Sequence, residues 1–333
     1  MDIGQTEISS IKSKNTDRIP SVEEDALSKL CKDHHVGELR HDQLLTYCQY
    51  TDHLSERSYN AESDLRHPLK LLRAMFHDLW ISRELAWRLF VRDLNAQYRQ
   101  SILGYLWVIL PALGTMLIWV FLNSNGILEI SATPIPYPVF VITGLVLWDA
   151  FVTALNAPQT SINSAIGLLT KINFPREALL VSAAGQVVFG ITVRLLILLG
   201  VYGWFGVIPQ ATAWLAPLGL LGLVVLGFAM GLLLLPAVML YQDFSRGLAI
   251  LTGPWFFLTP VVYPSPTTYP GTLINWLNPV SPLLTGTRNL ITVGTISNPT
   301  AFIAVSICGV FLLFGAWVYF RLAMPHLIAR MNS

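Results

Sequence analysis

Residues 91–113, VRDLNAQYRQSILGYLWVILPAL, change character half-way along. Arg92, Asp93, Asn95 and Arg99 keep the first half polar, whereas no charge follows Arg99 until Glu129 and Leu, Ile, Val and Trp dominate. This is the pattern of a chain leaving water and entering hydrocarbon, where about 20 apolar residues make one crossing.

Upstream of that boundary, Arg88, Arg92, Asn95 and Arg99 recur at helical spacing and form one polar stripe. Leu85, Leu89, Phe90, Leu94 and Tyr98 sit largely off it, and Ser82 is a plausible N-cap. Residues 66–100 therefore read as an amphipathic helix lying in the cytoplasmic headgroup layer. A soluble helix packed on a partner would carry the same stripe.

Downstream, apolar segments fall at about 103–123, 137–157, 178–204, 213–240, 248–264 and 298–320. The expected fold is an all-α membrane protein with six transmembrane helices over 101–325. Charge supports this class: only 12% of the 333 residues are charged and 53% are hydrophobic, against roughly 25% charged in soluble domains. The net charge of +1 averages unlike regions, an acidic head over 1–65, a basic stretch over 66–100 and a hydrophobic body. The head reads as a polar, partly disordered cytoplasmic extension, and residues 326–333 as a tail.

Lysine and arginine near span ends stay cytoplasmic. Arg83 to Arg99 precede span 1, Lys171 and Arg176 lie between spans 2 and 3, Arg246 between spans 4 and 5, and Arg321 and Arg330 near the end. Both termini are thus expected inside. No cleaved leader is read at the start, because residues 1–20 lack an apolar core.

The segment 265–297 is too rich in proline to cross as a regular helix and too apolar for a free loop. Two short re-entrant helices on the outer face, broken around Asn278-Pro279, would bury its leucines; an ordered loop lying flat on the bundle is the other reading. Two charges, Asp149 and Arg194, fall inside spans, both roughly 15–18 Å deep at 1.5 Å per residue. A structural ion pair, a water-filled pathway and a proton relay are all compatible with them. Trp119, Trp255 and Phe257 are harder to assign to a headgroup belt than the other aromatics.

Several chemistries find no support. No lysine follows a glycine in a phosphate-loop pattern, and neither G-x-S-x-G nor H-E-x-x-H occurs. Cys31, His34, His35, His41, Cys48 and His53 match no zinc spacing, and the three cysteines make no disulfide framework. No catalytic, metal or cofactor site is expected on this chain.

Within VRDLNAQYRQSILGYLWVILPAL, the residues Arg92-Asp93, Tyr98-Arg99, Leu103-Gly104 and Leu106-Trp107 resemble a motif of the permease subunit of type-2 ABC exporters for cell-surface polysaccharides, of the O-antigen, capsule or teichoic-acid type. KINFPRE, YQDFSRGL with PWFFLTPVVYP, and LNPVSPLLTGTR are similar to further motifs of that family, in the same order. The likeness covers about residues 67–325 and leaves the head aside.

The resemblance implies a homodimer working with two copies of a P-loop ATPase, which would bind ATP and Mg, and a lipid-linked polysaccharide moved outward across a bacterial cytoplasmic membrane, with no nucleic acid involved. It assigns Leu169, Lys171, Ile172, Asn173, Phe174, Pro175 and Arg176 to a loop that docks on the ATPase, and Arg88, Arg92, Asp93, Tyr98 and Arg99 to the interface helix. It makes Trp119, Trp255, Phe257 and Tyr263 channel-lining candidates, and Trp276, Asn278, Pro279 and Arg288 outer-gate candidates. An exporter of another amphiphile and a secondary transporter stand as rival expectations.

Overall fold

The computed structural model describes residues 75, 77–98, 104–108, 110–127, 130–169 and 176–331, all within the unit Asn60–Ser333. Helices α1 (Arg83–Tyr98), α2 (Leu110–Ser124), α3 (Tyr137–Leu169), α4 (Glu177–Trp204) and α5 (Ala216–Leu240) come first. They are followed by α6 (Gln242–Leu258), α7 (Gly271–Leu277), α8 (Val280–Thr292) and α9 (Pro299–Met331). Short 3-10 turns at Gly104–Val108 and Ala211–Leu215 lead into α2 and α5, and no strand occurs among the described residues.

Among the described residues, four stretches are long and apolar enough to cross a membrane: Tyr137–Gly167, Glu177–Trp204, Ala211–Leu240 and Pro299–Met324. The 15 residues of α2 and 17 of α6 are shorter. The expected first span, 103–123, is divided between the 3-10 turn and α2; a 3-10 turn rises about 2 Å per residue, so the pair reaches further than α2 alone.

The ends of the helices follow local chemistry. Asn298 caps α9, its Oδ1 accepting from the Ala301 amide at 3.2 Å, with Pro299 pre-set at the first position. At the end of α4, Gly206 adopts φ 61 and lets the Val207 amide reach the Tyr202 carbonyl, which closes the last turn as a left-handed glycine does.

Helix α3 is the central element, with 78% of its most apolar stretch buried against 17% for α4 and 11% for α9. Helix α5 lies against both α3 and α9. Its approach to α3 is close because a Cβ at Gly231 would collide with the Leu155 carbonyl; without a hydrophobic drive inside a bilayer, such close packing of small residues holds helices together. One core gathers Ile142, Leu145, Phe151, Leu223 and Leu283. A second, around Leu89, Ile162, Leu179, Leu235 and Phe320, joins α1, α3, α4, α5 and α9.

Two expected boundaries need correction. Helix α3 does not stop near 157, where the expected second span ended; it runs unbroken to Leu169 and includes Pro158. Helix α6 ends at Leu258, whereas the expected fifth span ran to 264. Pro260 disfavours helical geometry at the preceding residue, and Thr259 is extended at φ −99, ψ 134. The segment after it holds two short helices, α7 and α8, interrupted at Asn278-Pro279 as the sequence suggests.

Candidate functional site

Where α6 ends, side chains from the next segment hold its last turn and the residues just after it. Trp255 Nε1 donates to Asn278 Oδ1 at 3.1 Å, Asn278 Nδ2 donates to Thr259 Oγ1 at 2.7 Å, and the Val280 amide donates back to Asn278 Oδ1 at 3.0 Å. Asn278 thus ties the start of α8 to the end of α6 through one buried amide. Arg288 is 2% exposed. Its Nη1 donates to the carbonyls of Pro260 and Val261 at 3.0 and 2.9 Å, and its guanidinium lies over the Phe140 ring at 3.9 Å. Those carbonyls lack helical partners because the helix has stopped, and the two N–H groups of one Nη nitrogen serve both. The gate candidates therefore divide: Asn278 and Arg288 hold the segment in place, while Trp276 and Pro279 are exposed.

The channel candidates come from two elements that meet. The rings of Trp119 on α2 and Phe257 on α6 are 6.3 Å apart, and Tyr263 Oη donates to the Phe257 carbonyl at 2.7 Å. Trp255 points the other way, into Trp148 and Phe151 at 6.2 and 5.2 Å. Phe257 is exposed, together with Leu117, Ile118 and Phe121 of α2 and Ile250 and Leu251 of α6.

Helix α1 packs Ala86 and Leu89 into the second core and leaves Trp87 exposed; just before it, Trp80 and Ile81 are exposed too. Of its basic stripe, Arg88 pairs with Glu84 and Arg92 with Asp93, each at 2.7 Å. Asp93 turns inward and accepts from Ser164 Oγ of α3 and Gln186 Nε2 of α4, both at 3.2 Å. Arg99 lies outside the described residues, as do Lys171, Ile172, Asn173, Phe174 and Pro175; Tyr98 and Leu169 are described by their helical backbone. Arg176 immediately precedes α4.

One cluster was not anticipated. Arg321 of α9 places Nη2 2.8 Å from Asp78 Oδ2 and Nη1 2.8 Å from Glu177 Oε1, with all three side chains largely buried. It joins the segment before α1, the first residue of α4 and the last helix. In the sequence, Glu177 and Arg321 look like ordinary span-end charges, and only the fold brings Asp78 between them.

Asp149 and Arg194 line the same cleft, of about 710 Å3, between α1, the start of α2, α3 and α4. They form no ion pair; Arg194 Nη1 donates to Thr153 Oγ1 at 3.3 Å, and its Nε is buried with no hydrogen-bond partner. Asn156, Thr160 and Ser164 continue the wall along α3, with Asp93 and Gln97 on α1 opposite and Trp107 near the mouth. Among the described residues, no group of histidine, cysteine, aspartate and glutamate could hold a metal.

Several long apolar helices, polar knots buried where those helices break, and a polar cleft beside an amphipathic helix define a multi-pass membrane protein. Residues 84–293 match the ABC-2 type transporter family, and the chain belongs to that family, whose members are transport subunits. It is 28% identical over 248 residues to the O-antigen export system permease protein RfbA of Myxococcus xanthus, covering 73% of this chain and 93% of that one. It is 24% identical over 214 residues to the RfbA permease of Klebsiella pneumoniae, covering 62% and 79%. To the polysialic acid transport protein KpsM of Escherichia coli it is 25% identical over 180 residues, covering 53% and 68%.

Proposed function

We propose that this chain is the membrane permease of an ATP-driven exporter that carries lipid-linked polysaccharide outward across the inner membrane of a bacterium. The observation that carries this reading is the match to an O-antigen export permease along 93% of that protein's length. In this reading α2, α3, α4, α5, α6 and α9 are the six spans, with both termini in the cytoplasm. Two copies form the passage between them, and two copies of a separate P-loop ATPase bind ATP and Mg.

Three features support the assignment of parts. Trp80, Ile81 and Trp87 give the region of α1 an exposed apolar and aromatic face suited to the headgroup layer. The meeting of Trp119 with Phe257 on exposed faces of α2 and α6 suits an aromatic passage, because aromatic faces stack on the C–H faces of sugars. Helices α7 and α8, held by Asn278 and Arg288, suit a fixed outer collar from which Trp276 projects. The loop over 170–176 joins the ends of α3 and α4, the position from which an ATPase could move both. There Phe174 would anchor in an apolar pocket of the partner, Pro175 would fix the turn, and Lys171 and Arg176 would orient it electrostatically.

Affinity purification in mild detergent, with partners identified by mass spectrometry, tests this reading. Wild type is expected to recover a soluble P-loop ATPase, and replacement of Phe174-Pro175-Arg176 by Ala-Gly-Ala to lose it and abolish surface polysaccharide. Unchanged export in that variant, or transport down an ion gradient by the chain alone, would overturn the assignment.

A further inference from the structure

The face of α3 that lines the cleft is a continuous polar stripe. Asp149, Thr153, Asn156, Thr160 and Ser164 stand at i, i+4, i+7, i+11 and i+15 and extend about 22 Å along the helix. A polar stripe on a crossing helix faces either protein or a watery space. Here it faces a space of about 710 Å3, within the size range of about 300–1,000 Å3 typical of small-ligand sites.

The hydrogen bonds on this wall indicate which chemistry it accepts. One Asn156 Nδ2 hydrogen goes to the Val152 carbonyl and Thr160 Oγ1 donates to the Asn156 carbonyl, while Ser164 Oγ lies within hydrogen-bond distance of both the Ser161 carbonyl and Asp93. Asn156 and Thr160 thus turn donors into the helix and present Asn156 Oδ1 and the Thr160 lone pairs to the cleft, beside the Asp149 carboxylate. Donors line the same space on Arg194, Gln97 and Gln186, and Trp107 adds an exposed ring. An anionic headgroup would meet Arg194 together with the carboxylates of Asp149 and Asp93, which line the same cleft. A molecule rich in hydroxyls, which both donate and accept, with an apolar C–H face for the tryptophan, suits this mixed lining.

We propose that this cleft, within one subunit and apart from the aromatic faces of α2 and α6, binds a neutral sugar unit carried on a lipid. The inference rests on the polysaccharide-export reading for its biological substrate, and on the cleft alone for its chemistry. Arg194 and Asn156 would set the orientation of the sugar, and Asp149 would accept from its hydroxyls.

A protection experiment on the full chain in lipid nanodiscs tests it. Cys31, Cys48 and Cys308 are replaced by serine, Thr153→Cys is introduced, and its labelling by a maleimide is followed. The probes are dodecyl maltoside, dodecyl phosphate and a dodecyl polyoxyethylene ether, which share one alkyl chain and differ in the head. The maltoside is expected to slow labelling at least tenfold and the other two to leave it unchanged, and adding Asn156→Leu or, separately, Thr160→Val to weaken that protection.

Equal protection by all three probes would mean that the alkyl chain alone occupies the cleft and would overturn the proposal. Protection by dodecyl phosphate alone, indicating a lipid phosphate site, would overturn it too, as would protection by none. Recovery of the ATPase, measured on the same preparations, separates the two readings. Lost sugar protection with the ATPase retained removes the cleft assignment only, whereas sugar protection without any ATPase leaves the cleft standing and removes the exporter reading.

Discussion

Arg288 replaces a missing piece of backbone. Helix α6 stops before Pro260, leaving the carbonyls of Pro260 and Val261 without amides, and the guanidinium supplies the donor from 27 and 28 residues further on. Leaving a buried polar group unpaired costs about 1–3 kcal/mol. Arg288→Met, which exposes two such carbonyls, should lower the thermal midpoint of the detergent-solubilised protein by several degrees, read by differential scanning fluorimetry. Arg288→Lys should rescue only part of that loss, because an ammonium can still donate to both carbonyls but loses the planar stacking on Phe140. A variant as stable as wild type would mean that the carbonyls find other donors. Nothing in the sequence distinguishes this arginine from a loop charge; its task exists only because Thr259 and Pro260 break the helix where they do.

At the scale of elements, the ion cluster of Asp78, Glu177 and Arg321 binds three chain segments near the loop assigned to ATPase docking. Removing one partner from a buried ion pair is strongly destabilising, about 3–5 kcal/mol, because the remaining charge is stranded. Arg321→Leu should therefore damage folding more than Asp78→Asn, and combining it with Asp78→Asn and Glu177→Gln should recover part of the loss, measured as monodisperse yield after solubilisation. No recovery in the triple variant would show that the three charges do not act as a unit. The lengths of α4 and α5 were legible from hydropathy alone, since their runs are apolar on nearly every face. The continuation of α3 past 157 was not, because Gln159, Thr160, Ser161 and Asn163 look like the start of a loop. In the fold that stretch is sheltered instead: Ser161 Oγ donates to the Leu179 carbonyl of α4 at 2.9 Å. Asp149 and Arg194 were found as charges inside spans, but the stripe beside them, built from weakly polar threonines and amides, was passed over.

For the whole molecule, the exposed apolar faces of α2 and α6 matter most. In a bilayer such a face is equally at home against lipid or another helix, so exposure of Leu117, Ile118 and Phe121 does not by itself identify a neighbour. If two copies form the passage proposed above, these faces lie close across a two-fold axis. In a background without native cysteines, Phe121→Cys and Leu117→Cys should then give oxidised dimers on mild oxidation in native membranes, while a cysteine at Phe311 of α9, also exposed, should not. A dimer band from Phe311→Cys alone would put the contact on the opposite assignment.

Helix α3 carries a mechanical consequence as well. It reaches about 30 Å from the Asp149 level to its last residue, Leu169, so it is a lever whose short end is the loop that follows. Its one compliant turn is at Pro158, which has no amide to offer Ala154, and beyond that turn Ser161 yokes it to α4. A push on the loop would therefore reach both helices as one stroke. Because each residue turns a helix by about 100°, adding or deleting a single residue between Pro158 and Leu169 would leave the length of the lever almost unchanged and point its handle the wrong way.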